Sequence, residues 1–232
     1  MQGGHCCSAN KTAALTVTIP GATCKTKIGI NMSRIKSVCV YCGSGPGTNP
    51  AFMAAARQFG RILAENGIRL VYGGGSAGLM GACAEAVLDH GGLVTGIIPE
   101  FLTDREHMLM RVQERIITRD LHERKRLMFE RADAFVALPG GVGTLEELVE
   151  QLTWAQLGRH RKPIMIADIE HFWEPLCALL DHMEKLQFIR AGLNVNLLVA
   201  DRIEDVLPKL QAAARTVTEP DAEMQAAEIG RM

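Results

Sequence analysis

The stretch PGGVGTLEE, residues 139 to 147, joins a glycine-rich turn to two adjacent carboxylates, Glu146 and Glu147. Glycine permits positive φ and lets a ligand approach backbone N–H groups, and a helix that starts directly afterwards adds unsatisfied donors and a dipole that favours an anion. Negative charge within one further turn would weaken a site built for phosphate alone. It suits a ligand with an anionic end and a centre that becomes cationic during reaction. Successive helical residues point about 100° apart, so the two glutamates cannot share one environment. One can face the ligand, accepting hydrogen bonds from sugar hydroxyls or handling a water, while the other caps, pairs or meets solvent. The structural reading of the same pair is helix stabilisation of roughly 0.3 to 1 kcal/mol by first-turn acids.

Two more glycine turns have the same context, CGSGPGTNP (42 to 50) and GGGSAGLMG (73 to 81), each after an apolar strand candidate. In a doubly wound sheet such turns meet at the carboxyl ends of the strands, where ligands bind. Ser76 and Thr144 stand at expected helix starts, where each can cap the helix or turn its hydroxyl to a phosphate. None of the three is the GxxxxGK[ST] loop, and the GxGxxG fingerprint is absent where the first strand ends. A small phosphorylated ligand therefore fits better than a full dinucleotide. The basic segment TRDLHERKRLMFERAD (118 to 133) leads into the strand before PGG. Arg124, Met128 and Arg131 fall on one helical stripe, and an arginine there can form a bidentate pair with phosphate. Read as structure only, it is a solvated basic helix to whose packing Leu127 and Met128 contribute.

Strands are expected at 36–41, 68–73, 93–98, 133–139 and 162–168, and helices at about 50–66, 77–90, 120–131, 144–157 and 171–185. Apolar strands alternating with amphipathic helices call for a mainly parallel sheet covered on both faces, an α/β fold. RVQERIIT (111 to 118) reads as a further short strand or a loop, NLLVA as a late edge strand or buried turn, and the last helix as bent or interrupted at Pro208. One domain spans 35–215, with a flexible leader at 1–34 and a fraying tail at 216–232. No acidic residue precedes Glu65, so the leader has the acid-poor composition of a transit peptide, yet it lacks an apolar h-region and a cleavage signal. Met32 looks like a natural domain start.

A formal charge of −1 gives no general pull toward nucleic acid or anionic membrane, and no apolar run approaches the ~18 residues that span a bilayer. Seven cysteines without repeated spacing point to a reducing compartment, the cytoplasm. Cys39 and Cys42 form a CxxC, but a redox pair needs its first thiol at a helix N-terminus, and Cys39 falls inside a strand. No histidine clusters with the cysteines, which disfavours zinc.

LHERKRLMFERADAFVALPGGVGTLEELVEQLTWAQLG, with CGSGPGTNP and YGGGSAGLMG, closely resembles the LOG family of cytokinin riboside 5'-monophosphate phosphoribohydrolases, relatives of which were long labelled lysine decarboxylases. The resemblance covers about residues 35 to 200. It implies a Rossmann-like homodimer that hydrolyses the N-glycosidic bond of an N6-modified adenosine 5'-monophosphate, without NAD or metal, to free base and ribose 5-phosphate. By motif it places catalytic roles on Arg124 and Glu147. Substrate-binding roles fall on Ser44, Gly74, Gly75, Met128, Gly141, Gly143, Thr144 and Glu146, the last ranked below Glu147. Leu121 replaces a frequent methionine of the family, an apolar exchange that alters packing rather than chemistry. A decarboxylase would need an electron-sink cofactor such as PLP, for which no signature is seen. Three other readings stay open: an AMP nucleosidase of nucleotide salvage, a noncatalytic nucleotide-binding or carrier protein of the same fold, and a structural scaffold. Trp154 and Leu157 on the helix after the third turn suit a dimer interface, although Trp154 fits local core slightly better.

Overall fold

The computed structural model describes residues 35–103, 107–189 and 197–216. The expected leader lies outside them, as does the tail apart from Thr216. Strands β1 (Ser37–Tyr41), β2 (Arg69–Tyr72), β3 (Val94–Pro99), β4 (Glu114–Thr118), β5 (Ala134–Ala137), β6 (Ile164–Ala167) and β7 (Leu197–Ala200) form one sheet in the order β4-β3-β2-β1-β5-β6-β7. Every pairing is parallel. The chain starts at the centre, winds outward to β4, returns to lay β5 beside β1, and winds outward again to β7. Its direction reverses between β1 and β5, the place where open α/β sheets bind ligands.

Helices α1 (Pro50–Glu65), α2 (Gly78–Asp89), α3 (Leu121–Arg131), α4 (Val142–Gln156), α5 (Glu174–Lys185) and α6 (Ile203–Thr216) cover the sheet. Side chains alternate across a strand, and both faces of the central strands are buried. Val38, Val40, Ala134 and Val136 join the cluster with α1, α2 and α6, whereas Cys39, Tyr41, Phe135 and Ala137 join the one with Met128 of α3 and Leu148 of α4. The helix starts are written locally: Asn49 Oδ1 accepts from Ala51 N at 2.9 Å ahead of α1, and Asp120 Oδ1 accepts from Glu123 N at 2.8 Å ahead of α3.

Two ambiguous segments resolve as edge strands, β4 and β7, both parallel to their neighbours. Pro208 does not interrupt α6. It lies on the exposed side, where water can satisfy the carbonyl left by its missing N–H. Trp154 packs edge-on against Phe129, ring centroids 5.1 Å apart, and is half-buried. Among the described residues, no helix is long and apolar enough to cross a membrane.

Below α4 the buried His160 meets the rings of Phe129 and Phe135. Its Nδ1 accepts from Lys162 N at 3.2 Å, so the neutral ring carries its proton on Nε2, 3.3 Å from Gln151 O. Burial pushes the imidazole down to about 4 from its ordinary 6.5. The unfolded chain thus binds a proton that the folded chain refuses, and stability present above pH 6.5 is lost as pH falls toward 4. In urea titrations, wild type should lose about 1 kcal/mol more than His160→Gln for each pH unit across that window. Parallel stability curves would assign acid sensitivity to other groups.

Candidate active site

The strand register brings the three glycine turns together. Val40 pairs with Tyr72 and Tyr41 with Ala137, so β2, β1 and β5, neighbours in the sheet, end nearly level. Gly43 links the turns that follow them. Its N–H donates to Pro139 O at 3.1 Å, and its carbonyl accepts from Leu79 N at 3.0 Å and Met80 N at 3.3 Å. The first-turn donors of α2 are therefore engaged within the chain. At α4 the N-cap is Gly141, with no side-chain cap, and N1 is the exposed Val142. Of the three helices that open from the glycine turns, α1 is capped by Asn49 and begins with a proline, and α4 presents the best anion-binding end.

The glycines divide in the same way. A Cβ on Gly140 would sit 2.2 Å from Thr144 Oγ1 and 2.8 Å from Gly43 N, and one on Gly78 (φ 58°) would strike the Ser44 carbonyl at 2.4 Å. These two are demanded by packing. A Cβ on Gly45, Gly141 or Gly143 would meet nothing within 4 Å, so the missing side chain there leaves room for something outside the fold. Gly74 (φ 84°) and Gly75 are buried beneath the segment at 107–109: Leu109 N donates to Gly74 O at 3.0 Å, and Gly75 bridges to Met108. Ser44 is exposed at the rim. Thr144 is buried on Gly140 inside α4, and Ser76 precedes the N-cap Ala77 of α2 by one residue, so neither caps a helix.

Between β3 and α4 lie Arg124 and Glu147. The capping of α3 and the 2.6 Å pair of Arg131 with Glu114 on β4 hold α3 at both ends. Arg124, 8% exposed, donates from Nε to Ile97 O at 3.2 Å. Its Nη2 lies 3.6 Å from Glu147 Oε1, an ion pair longer than a hydrogen bond. The guanidinium crosses Gly73, where a Cβ would be 2.1 Å from Nη2. Sequence reasoning missed this residue. Its place as the first glycine after β2 was visible, but the arginine that needs it is 51 positions away.

The expected stripe of Arg124, Met128 and Arg131 is not the inward one. Arg124, Lys125 and Met128 are buried, and Arg131 is exposed at the β4 edge. Met128 belongs to the apolar cluster of Tyr41, Phe135, Leu148 and Trp173. It packs as core, while Glu146 points to Lys125 and is half exposed. The structure thus gathers Arg124, Glu147, Gly141, Gly143 and Thr144 around the start of α4, with Ser44 on the adjoining turn, and sets Met128 and Glu146 elsewhere.

Cys39 and Cys42 fall in the two different apolar clusters, on opposite faces of the sheet, and burial raises both thiols. A thiolate-based CxxC reaction has no footing there. Burial alone would lower the Lys125 pKa, but hydrogen bonds to Glu146 and Glu150 outweigh it and hold the ammonium above the ordinary lysine value. A Schiff base needs the neutral amine. Among the described residues, Asp168, His171 and Glu174 hold possible metal-ligand atoms within 4.8 Å of one another. Asp168 Oδ1 already accepts from Trp173 N at 2.6 Å, and His171 pairs with Glu174 at 2.9 Å, so the group serves the entry to α5.

Because the atom over Gly73 is the tip of a flexible side chain, Gly73→Ala should fold with a loss of about 1 kcal/mol and should drive the guanidinium off Glu147. A crystal structure and a denaturation curve of the variant test this. An unmoved Arg124 would show that Gly73 does not form its channel.

Residues 80–210 match the family described as "Possible lysine decarboxylase". A probable cytokinin riboside 5'-monophosphate phosphoribohydrolase of Oryza sativa subsp. japonica is 42% identical over 85% of this chain and 89% of its own. The cytokinin riboside 5'-monophosphate phosphoribohydrolase of Rhodococcoides fascians is 41% identical over 76% of this chain and 90% of its own. Among solved structures, the molybdenum cofactor binding protein of Rippkaea orientalis superposes with a TM-score of 0.58 at 22% identity, covering 77% of this chain and 97% of that one. At that identity the likeness concerns the fold alone, a Rossmann-like single domain. Taken with sequence relatives from plants and a bacterium that match over most of their length, the chain belongs to the LOG family of phosphoribohydrolases.

Proposed function

We propose that this enzyme cleaves the N-glycosidic bond of cytokinin riboside 5'-monophosphates, with the phosphate at the N-terminus of α4 and the ribose beside Glu147. The observation that carries the reading is the Arg124–Glu147 pair set just behind an uncapped helix start. From Val142 to Glu147 the helix rises about 7.5 Å, comparable to the reach of a ribose 5-phosphate from phosphorus to anomeric carbon. A phosphate held by the N–H groups around Gly141 and Gly143 therefore brings the anomeric carbon to the carboxylate.

Breaking the bond builds positive charge on that carbon and negative charge on the purine. The Glu147 carboxylate, held in place before the ligand arrives, stabilises the oxocarbenium-like state and holds the ribose hydroxyls. Water adds its hydroxyl to the carbon, and its proton ends on the departing base. The Arg124 guanidinium steadies Glu147 in the ligand-free protein and is within reach of the anionic ligand, whether at phosphate or at base. Thr144, Gly74 and Gly75 shape the turns that receive the phosphate, and Ser44 lines the rim. In the described core, buried free thiols fit a reducing compartment, and we place the enzyme in the cytoplasm.

The test is turnover of AMP, its N6-isopentenyl derivative and the matching nucleosides. Both monophosphates should yield equimolar base and ribose 5-phosphate, the prenylated one faster, and the nucleosides should react at least ~100-fold more slowly because remote phosphate binding is lost. Glu147→Gln should lose at least ~100-fold while remaining folded. Equal rates with nucleosides would remove phosphate recognition; faster AMP turnover would favour nucleotide salvage; a tight complex that never releases base would favour a carrier.

We further propose a homodimer formed through α4. Val142, Leu145 and Val149 recur at helical spacing on its exposed side, and Leu157 beyond its end is 76% exposed. A second copy of the same stripe would cover them. Light scattering should give a dimer for wild type and a monomer for the double variant Val149→Glu, Leu157→Glu. A monomeric wild type at assay concentration would end this assignment.

A further inference from the structure

Three carboxylates stand within five residues on α4: Glu146, Glu147 and Glu150. Two cations face them from consecutive positions on α3, and the structure sorts the charges between them. Arg124 takes Glu147, whereas Lys125 takes Glu146 and, at 3.0 Å, Glu150. Glu146 and Glu150 are four residues apart and share one stripe; Glu147 points about 100° away from Glu146. The Lys125 side chain is only 10% exposed, so this link is not a loose surface pair.

We propose that Lys125 is a positioning residue that fixes the rotation of α4 and thereby aims Glu147 at the sugar. This rests on the phosphoribohydrolase reading above. A rotation of α4 that swung Glu147 away from the ribose would draw both other carboxylates off the ammonium. The lysine touches no reacting atom on this account; it acts through Glu147.

The test compares Lys125→Met and Lys125→Arg, each in the wild-type and Glu147→Gln backgrounds, using the monophosphate that wild type cleaves fastest. Misplacement of a transition-state group should appear in kcat, which should fall about tenfold in K125M while KM shifts less than about threefold. K125R, which keeps the cation, should stay within about threefold of wild type. When Glu147 is already Gln, K125M should cost less than about twofold more, since the two lesions act through one group. Should K125M not fold, Glu150→Gln is a milder lesion in the same link and should show the same kcat loss and the same non-additivity. An unchanged kcat, or losses that multiply across the two backgrounds, would overturn the positioning role. Wild-type protein that releases no base would sink the hydrolase reading and this role with it.

Discussion

Everything in the site turns on keeping a buried guanidinium and a partly buried carboxylate close but not fused. Arg124 donates from Nε to the Ile97 carbonyl and meets Glu147 through Nη2. The two groups lie 3.6 Å apart, an ion pair without a direct hydrogen bond between these atoms. A tighter bidentate pair would resist any sugar hydroxyl, and an unpaired carboxylate in the same place would be expensive to hold. The sheet supplies the frame for this compromise. Arg124 arrives from α3 after β4, Glu147 from α4 after β5, and the bare backbone at Gly73 from β2, so three crossovers must all be formed before the pair exists.

Negative charge beside a glycine-rich helix start has a spatial resolution. The three carboxylates of α4 are separated by the pitch of the helix, and each is matched to a cation that the previous helix contributes. Gly141 and Gly143 offer open backbone at the helix start, while Gly140 and Gly78 only permit the turns to nest. Glycines that look alike in sequence therefore serve two different physical ends.

Much of this was legible in the chain. Apolar strand runs alternating with amphipathic stretches identified most elements, whereas the side-chain caps fall at Asn49 and Asp120 rather than at Ser76 and Thr144. The edge strand β4 was ambiguous because Glu114 and Arg115 interrupt its apolar run, and β7 because a four-residue apolar run does not separate a strand from a buried turn. Local period misjudged the inward face of α3, because long cations at 124 and 125 are buried by partners on α4 that no single-helix pattern can reveal. Met128 looked available to a ligand for the same reason. The roles of Gly73 and Lys125 depend on contacts 51 and 21 to 25 positions away in the chain, and spacing within a motif does not carry such information.

The most direct test is a crystal structure of the unaltered protein with ribose 5-phosphate bound. The phosphate oxygens should lie within hydrogen-bonding distance of the N–H groups from Gly141 to Thr144, and the Glu147 carboxylate should have turned from Arg124 onto the ribose hydroxyls. A phosphate seated at another strand end, or a Glu147 still held by the guanidinium with the sugar out of reach, would contradict the account.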